Sequence, residues 1–137
     1  MSNAKILLVE DVPDDVELSR RVFEKCGMNG DVDVVEDGQA ALDYVFGRGP
    51  FAERGFPKEL RLILLDLKIP IVPGAEVIRQ LKSDPTTKSI PIVALTVTGI
   101  QREALERGPF PVDGYLRKPL EMHTFLNLYQ SYIKKND

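Results

Sequence analysis

Apolar positions along the chain follow two rhythms. Dense aliphatic runs, "AKILLVE" (4–10), "DVDVVE" (31–36), "LRLILLD" (60–66), "IPIVALT" (90–96) and "GYLRK" (114–118), read as β-strands. The first, third and fourth lack clean alternation, which suits central strands of a parallel sheet covered on both faces. Between them the apolar residues return at helical spacing. Leu18, Ser19, Val22, Phe23 and Cys26 share one side of 14–26, with Asp14 and Asp15 at its start and Gly27 at its stop. Asp37 can cap a second helix whose stripe is Ala41, Leu42, Val45 and Phe46. Val77, Ile78 and Leu81 mark a third helix over 75–84, ended by Pro85. A short fourth near 100–107 is cut off by Gly108, Pro109 and Pro111. The last, 121–135, carries Met122, Phe125, Leu126, Tyr129, Tyr132 and Ile133.

Strands alternating with helices predict an α/β fold, a flavodoxin-like doubly wound five-stranded parallel sheet of order 2-1-3-4-5. At 137 residues the expectation is one domain over 1–137 with no output domain. The Gly- and Pro-containing stretch 47–60 is long for a connection, which fits either a functional or mobile segment or a solvated surface loop.

Composition narrows the function. Hydrophobic residues at 43% and charged residues at 28% are those of an ordinary globular protein. A net charge of −3 argues against an extensive nucleic-acid or anionic-membrane surface, and no apolar run approaches the ~20 residues of a membrane span. Cys26 is the single cysteine, so no internal disulfide is possible and a reducing cytoplasm is expected. On its helix face Cys26 reads as a core residue, and the one histidine, His123, as a surface residue without metal-site partners.

The candidate chemistry lies at the strand ends, where open α/β sheets bind ligands. Glu10 and Asp11 follow the first strand, Asp66 ends the third, Thr96 the fourth and Lys118 the fifth. The 2-1-3-4-5 order sets Glu10, Asp11 and Asp66 side by side, with Thr96 and Lys118 facing them. Three adjacent carboxylates repel unless a cation joins them, and a hard divalent ion such as Mg2+ suits an all-oxygen set. Lys118 can hold a phosphoryl oxygen and Thr96 can donate a hydroxyl hydrogen bond. Together they suit nucleophilic attack by Asp66 on phosphorus, with Asp66 expected at a charged rim outside the core. Asp14 and Asp15 read as helix-terminus charges and not as ligands.

In order and spacing, "ILLVED", "LILLDLKIP", "IPIVALT" and "YLRKP" resemble the motifs of the response-regulator receiver domain of two-component signalling. The resemblance implies that Asp66 accepts a phosphoryl group from a sensor histidine kinase. It implies magnesium on Asp11, Asp66 and the carbonyl of Lys68, with Glu10 contributing through water. It further implies that Lys118 binds the phosphoryl group, that Thr96 and Tyr115 act as the switch, and that the Lys118–Pro119 bond is cis. "DVPDDVELSRRVFEKCG", "DGQAALDYVFGRGPFAERG" and "LKSDPTTKSIPIVALT" resemble the stand-alone regulators of bacterial and cyanobacterial phytochrome kinases. Signalling would then run through protein contacts, including a possible homodimer through a face holding Phe110, Tyr115, Phe125 and Tyr129.

Three other functions compete. A phosphatase of the haloacid-dehalogenase type wants a second Asp two residues after its nucleophile, where this chain has Lys68, and its nucleophile follows the first strand. A flavin-phosphate binder needs a Gly/Ser/Thr-rich first loop, whereas "EDVPDD" repels phosphate. A pseudo-receiver that binds partners without phosphorylation is opposed by the retention of all five site residues.

Overall fold

Three of the five strands take their central place through burial. The structure is a computed structural model that describes residues 4–96, 99–108 and 112–136. All residues of β1 (Ile6–Val9) and β3 (Leu62–Asp66) are buried, as are Ile92 to Leu95 of β4 (Ile92–Thr96), so these strands form the centre of the sheet. β2 (Val32–Val35) is an edge, with only Val32 and Val35 buried, and β5 (Gly114–Arg117) is the other edge. The order is β2-β1-β3-β4-β5 and every pairing is parallel. The predicted α/β class and strand order are therefore both observed.

Alternation sorts the side chains onto two faces. Leu7, Val9, Ile63, Leu65 and Ile92 pack with Ala41, Leu42, Tyr44 and Val45 of α2 (Gly38–Phe46) and Val77, Ile78 and Leu81 of α3 (Gly74–Ser83). Leu105 of α4 (Gly99–Glu106) joins this side. Ile6, Leu8, Leu62, Leu64, Val93, Leu95 and Leu116 pack on the other side with Phe23 of α1 (Pro13–Lys25) and with Phe125 and Tyr129 of α5 (Met122–Asn136). Leu18, expected on the inward stripe of α1, is 45% exposed, because only Ser19 and Phe23 on that helix reach the sheet fully. Cys26 is partly buried against this second cluster, and burial pushes its thiol up. The side chain of Ile133 lies outside the described residues.

The aromatic face expected to form a dimer needs correction. Phe125 is fully buried and Tyr129 nearly so; they stack 5.8 Å apart, and Phe125 meets Phe23 edge-on at 5.3 Å. These rings hold α5 to α1 and the sheet, so they are not available to a second chain. Phe110 lies outside the described residues.

Segment 47–60 is folded, not loose. Gly47 ends α2 in the left-handed conformation, and its backbone lies directly against Gly55: a Cβ on Gly47 would sit 2.5 Å from the Gly55 carbonyl oxygen. Arg54 covers the rings of Tyr44 at 4.2 Å and Phe51 at 5.1 Å while donating to the Tyr44 and Gly55 carbonyls. The Tyr44 hydroxyl donates to Asp33 Oδ2 at 2.7 Å, which ties α2 to β2. The Arg61 amide donates to the Lys5 carbonyl at 2.7 Å, so the segment returns to the amino-terminal end of the sheet, away from the candidate site.

Two further contacts fix the loops that carry site residues. Asp113 Oδ2 accepts from Lys82 Nζ at 2.6 Å and from the Ile92 amide at 2.7 Å, anchoring the start of β5 and with it Lys118. Gly38 opens α2 after Asp37, whose side chain caps the Ala40 amide at 2.6 Å. The Gly38 amide donates to the Pro70 carbonyl at 3.2 Å, and a Cβ there would lie 2.0 Å from the Val72 carbonyl oxygen. Gly38→Ala should therefore push back the loop after Asp66 and cost about 2–3 kcal/mol of stability. Urea unfolding checks this; a loss below about 0.5 kcal/mol would show that the close approach is not maintained.

Candidate functional site

Because the strands are parallel, their carboxyl ends lie together. Ile6 to Val9 pair with Leu62 to Leu65, which brings the residue after β1, Glu10, level with Asp66. Asp66 pairs with Leu95, and Thr96 with Arg117, next to Lys118. The side chain of Thr96 is outside the described residues, so only its place at the end of β4 is given. Lys118 follows β5, and the Lys118–Pro119 bond is cis.

Lys118 is the centre of the cluster. Its Nζ lies 2.8 Å from Asp66 Oδ2, 3.2 Å from Asp15 Oδ2, and in direct contact with Glu10 Oε1. The Lys68 amide donates to Asp66 Oδ1 at 3.1 Å, and the Asp11 amide to Glu10 Oε2 at 3.1 Å. Contrary to the expectation that Asp66 lies outside the core, it is buried at 6% exposure, and Glu10 at 1%. Burying these carboxylates is tolerable because each is met by an ammonium and a backbone amide. The opening carboxylate of the loop, Asp11, is exposed.

The charges share their protons unequally. Burial, helped by the hydrogen bond to Asp66, pushes the Glu10 carboxyl up to about 7, with Lys118 opposing. Burial also acts to raise Asp66, but hydrogen bonds from Glu10, Lys118 and the Lys68 amide outweigh it and hold Asp66 below the usual range. Lys118 is pushed up in spite of its burial, by Asp66 first and then Glu10. Asp66 is therefore the carboxylate kept ionised, the state a nucleophile needs.

One oxygen from each of Glu10, Asp11 and Asp66 falls within 4.8 Å of the others. The set is all oxygen, with two members buried and one open to solvent, which fits a hard divalent ion better than a thiophilic one. Asp11, Val12, Asp15, Asp66, Lys68, Leu95 and Lys118 line an open cleft of about 250 Å³. Lys68 itself is exposed.

Asp15 was missed as a site residue by sequence reasoning, which assigned it only to the helix terminus. Pro13 starts α1 at once after the β1 loop, so the first turn returns over the cluster. Its contact to Lys118 spans 103 positions of sequence. The helix-start signal "VPDD" was visible; the height of that turn above the sheet was not.

Tyr115 is half-buried on β5 beneath Arg102 of α4, whose guanidinium lies 4.6 Å from the ring centre. His123 is exposed, as expected. Among the described residues, no helix is long and apolar enough to cross a membrane.

Residues 6–130 match the response regulator receiver domain. The chain belongs to this family. Phosphorylation on an aspartate is general among receivers, and receivers of this type interact with histidine kinases. The receiver is 38% identical to the probable methanogenesis regulatory protein FilR2 of Methanothrix harundinacea, over 84% of this chain and 72% of that one. It also matches the structure of the bacteriophytochrome response regulator AtBRR, with a TM-score of 0.84, 35% identity, and 96% and 94% of the two chains covered. The structure of the Mn(2+)-bound form of Rcp1, a response regulator of Synechocystis, matches with a TM-score of 0.71 and 30% identity over 92% of this receiver and 88% of Rcp1.

Proposed function

We propose that this receiver accepts a phosphoryl group on Asp66 from a phytochrome-type sensor histidine kinase and signals through protein–protein contacts. The observation that carries the reading is the pairing of the buried Asp66 carboxyl with Lys118 at 2.8 Å, at the carboxyl end of the sheet. The likeness to AtBRR supports the phytochrome link.

In the reaction an oxygen of Asp66 attacks the phosphorus of a phosphohistidine. The O–P bond forms, the N–P bond breaks, and the imidazole nitrogen leaves with the electron pair. Lys118 shifts from the carboxylate, whose own charge is consumed in the new O–P bond, to a phosphoryl oxygen, where its ammonium offsets the charge carried by the phosphoryl group. Thr96 donates its hydroxyl to another phosphoryl oxygen, and Tyr115 turns inward behind it, leaving Arg102. Asp11, Asp66 and the Lys68 carbonyl would hold Mg2+, with Glu10 reached through water. That ion, when bound, would supply positive charge to offset the carboxylates and the phosphoryl oxygens. Hydrolysis of the acyl phosphate by water returns Asp66 to its starting state.

Acetyl phosphate with magnesium tests the reading. Intact mass should rise by one phosphoryl group, and borohydride reduction should convert residue 66 to homoserine. No gain with magnesium present, or a homoserine elsewhere, would overturn it.

A further inference from the structure

β5 carries Lys118 just past its end, yet little in the strand itself fixes how far along β4 it lies. It is an edge strand of four residues, Gly114 to Arg117, and only Leu116 among them is buried. A one-residue slip would turn Leu116 to the wrong face, so burial opposes it. A two-residue slip keeps every side chain on its own face, so alternation does not oppose it. At roughly 3.3 Å per residue, that slip would carry Lys118 about 6–7 Å along the sheet. A displacement of this size takes its ammonium out of the 2.8 Å contact with Asp66 Oδ2.

Asp113, at the opposite end of the strand from Lys118, supplies what burial does not. Its amide donates to the Ile92 carbonyl at 2.8 Å, and its Oδ2 accepts from the Ile92 amide at 2.7 Å. One residue thus engages both backbone groups of a single β4 residue, directly before the ladder begins at Val93 and Gly114. Only one register satisfies both bonds. The same Oδ2 accepts from Lys82 Nζ at 2.6 Å. The Lys82 side chain is only 12% exposed, and its ammonium also donates to the Ile90 carbonyl at 3.1 Å and the Lys88 carbonyl at 3.2 Å. From the other face of the sheet, the Tyr132 hydroxyl of α5 donates to the Asp113 carbonyl at 2.7 Å. The end of α3, the approach to β4 and the helix α5 therefore all close on Asp113. The bonds to its carboxylate are charge-assisted, the stronger kind.

We propose that Asp113, held by Lys82, is a positioning residue for phosphotransfer: from the amino-terminal pole it sets the register of β5, and so brings Lys118 to Asp66. The effect on rate rests on the reading of Asp66 as the phosphoacceptor; the effect on Lys118 does not. Asp113→Ala, Asp113→Asn and Lys82→Met are each made alone and combined with Lys118→Met. Asp113→Ala removes the acceptor, whereas Asp113→Asn keeps an oxygen for the Ile92 amide and loses only the charge toward Lys82. Mass gain from acetyl phosphate with magnesium should slow about tenfold in Asp113→Ala and no more than about threefold in Asp113→Asn, since small misplacements far from the chemistry are costly. Urea unfolding without divalent cations gives the deciding readout. Lys118→Met lowers the midpoint of the wild-type chain by stranding Glu10 and Asp66. With Asp113→Ala the lysine is already displaced, so the same change should lower the midpoint by less than about half as much. A residue that merely stabilised the fold would give additive losses, and additive losses overturn the proposal. An unchanged phosphorylation rate in Asp113→Ala overturns it too. If Asp113→Ala does not fold, Lys82→Met carries the same cycle, because both Ile92 bonds survive in it, and additivity there is equally decisive. Failure of the wild type to gain mass would instead remove the phosphoacceptor reading, and the urea cycle would still decide whether Asp113 places Lys118.

Discussion

Asp66→Asn is expected to gain no phosphoryl mass from acetyl phosphate or from a kinase. The amide has no anionic oxygen to attack phosphorus, while the shape of the side chain and the Lys68 contact to its carbonyl oxygen are preserved. Neighbouring carboxylates should not substitute. Glu10 is almost fully enclosed and in contact with Lys118, and its carboxyl is pushed up to about 7 by burial, so much of it carries a proton at neutral pH. Asp11 is exposed and is not among the carboxylates that pair with Lys118, which are Glu10, Asp15 and Asp66. Intact mass and thermal unfolding together check the point: a folded variant with no adduct is the expected outcome. An adduct of wild-type yield would transfer the acceptor role to another residue.

Lys118→Met should be the most destabilising change at the site, by about 3 kcal/mol without divalent cations. Methionine fills the volume of the lysine stem but removes the ammonium, leaving Glu10 and Asp66 buried and facing each other. A loss of that size is a large part of the ~5–15 kcal/mol that holds a domain of this kind together. Adding millimolar magnesium should recover part of it, because a cation bound to the same carboxylates restores their compensation and binds only the folded chain. Adding Asp66→Asn to the variant should also recover part, since the buried carboxylate that stays ionised is gone and Glu10 can keep its proton. Urea midpoints for the single and double variants, with and without magnesium, measure both effects. An unchanged midpoint in Lys118→Met would mean that the lysine is not what makes the buried carboxylates tolerable.

The aliphatic runs announced the sheet because a strand covered on both faces has few alternatives to Leu, Ile and Val. Placing Glu10, Asp66, Thr96 and Lys118 at strand ends then followed from the parallel order alone. What remained hidden depends on three-dimensional placement. The height of the first turn of α1 above the sheet decides whether Asp15 reaches Lys118, and helical periodicity carries no information about height. Phe125 and Tyr129 lie on an apolar stripe that looks the same whether it faces a sheet or a second protein. The left-handed backbone at Ile71 ran against the preference of its own residue type, so local propensity pointed the other way. The depth of Asp66 was misjudged because a carboxylate at a strand end suggests solvent, and the cover supplied by Lys118 arrives from 52 positions away.

The back-to-back glycines Gly47 and Gly55 close the excursion between α2 and β3 at its base, at the end of the sheet remote from Lys118. Chain added beyond that closure lengthens a loop whose ends are already pinned, and the entropic cost of lengthening grows only slowly. The signalling end of the molecule would register none of it, since β1 and β3 keep their register. Evolution, or an engineer inserting a fluorescent or affinity module, thus has a site of permitted growth here, while the phosphoryl chemistry at the opposite pole stays constant.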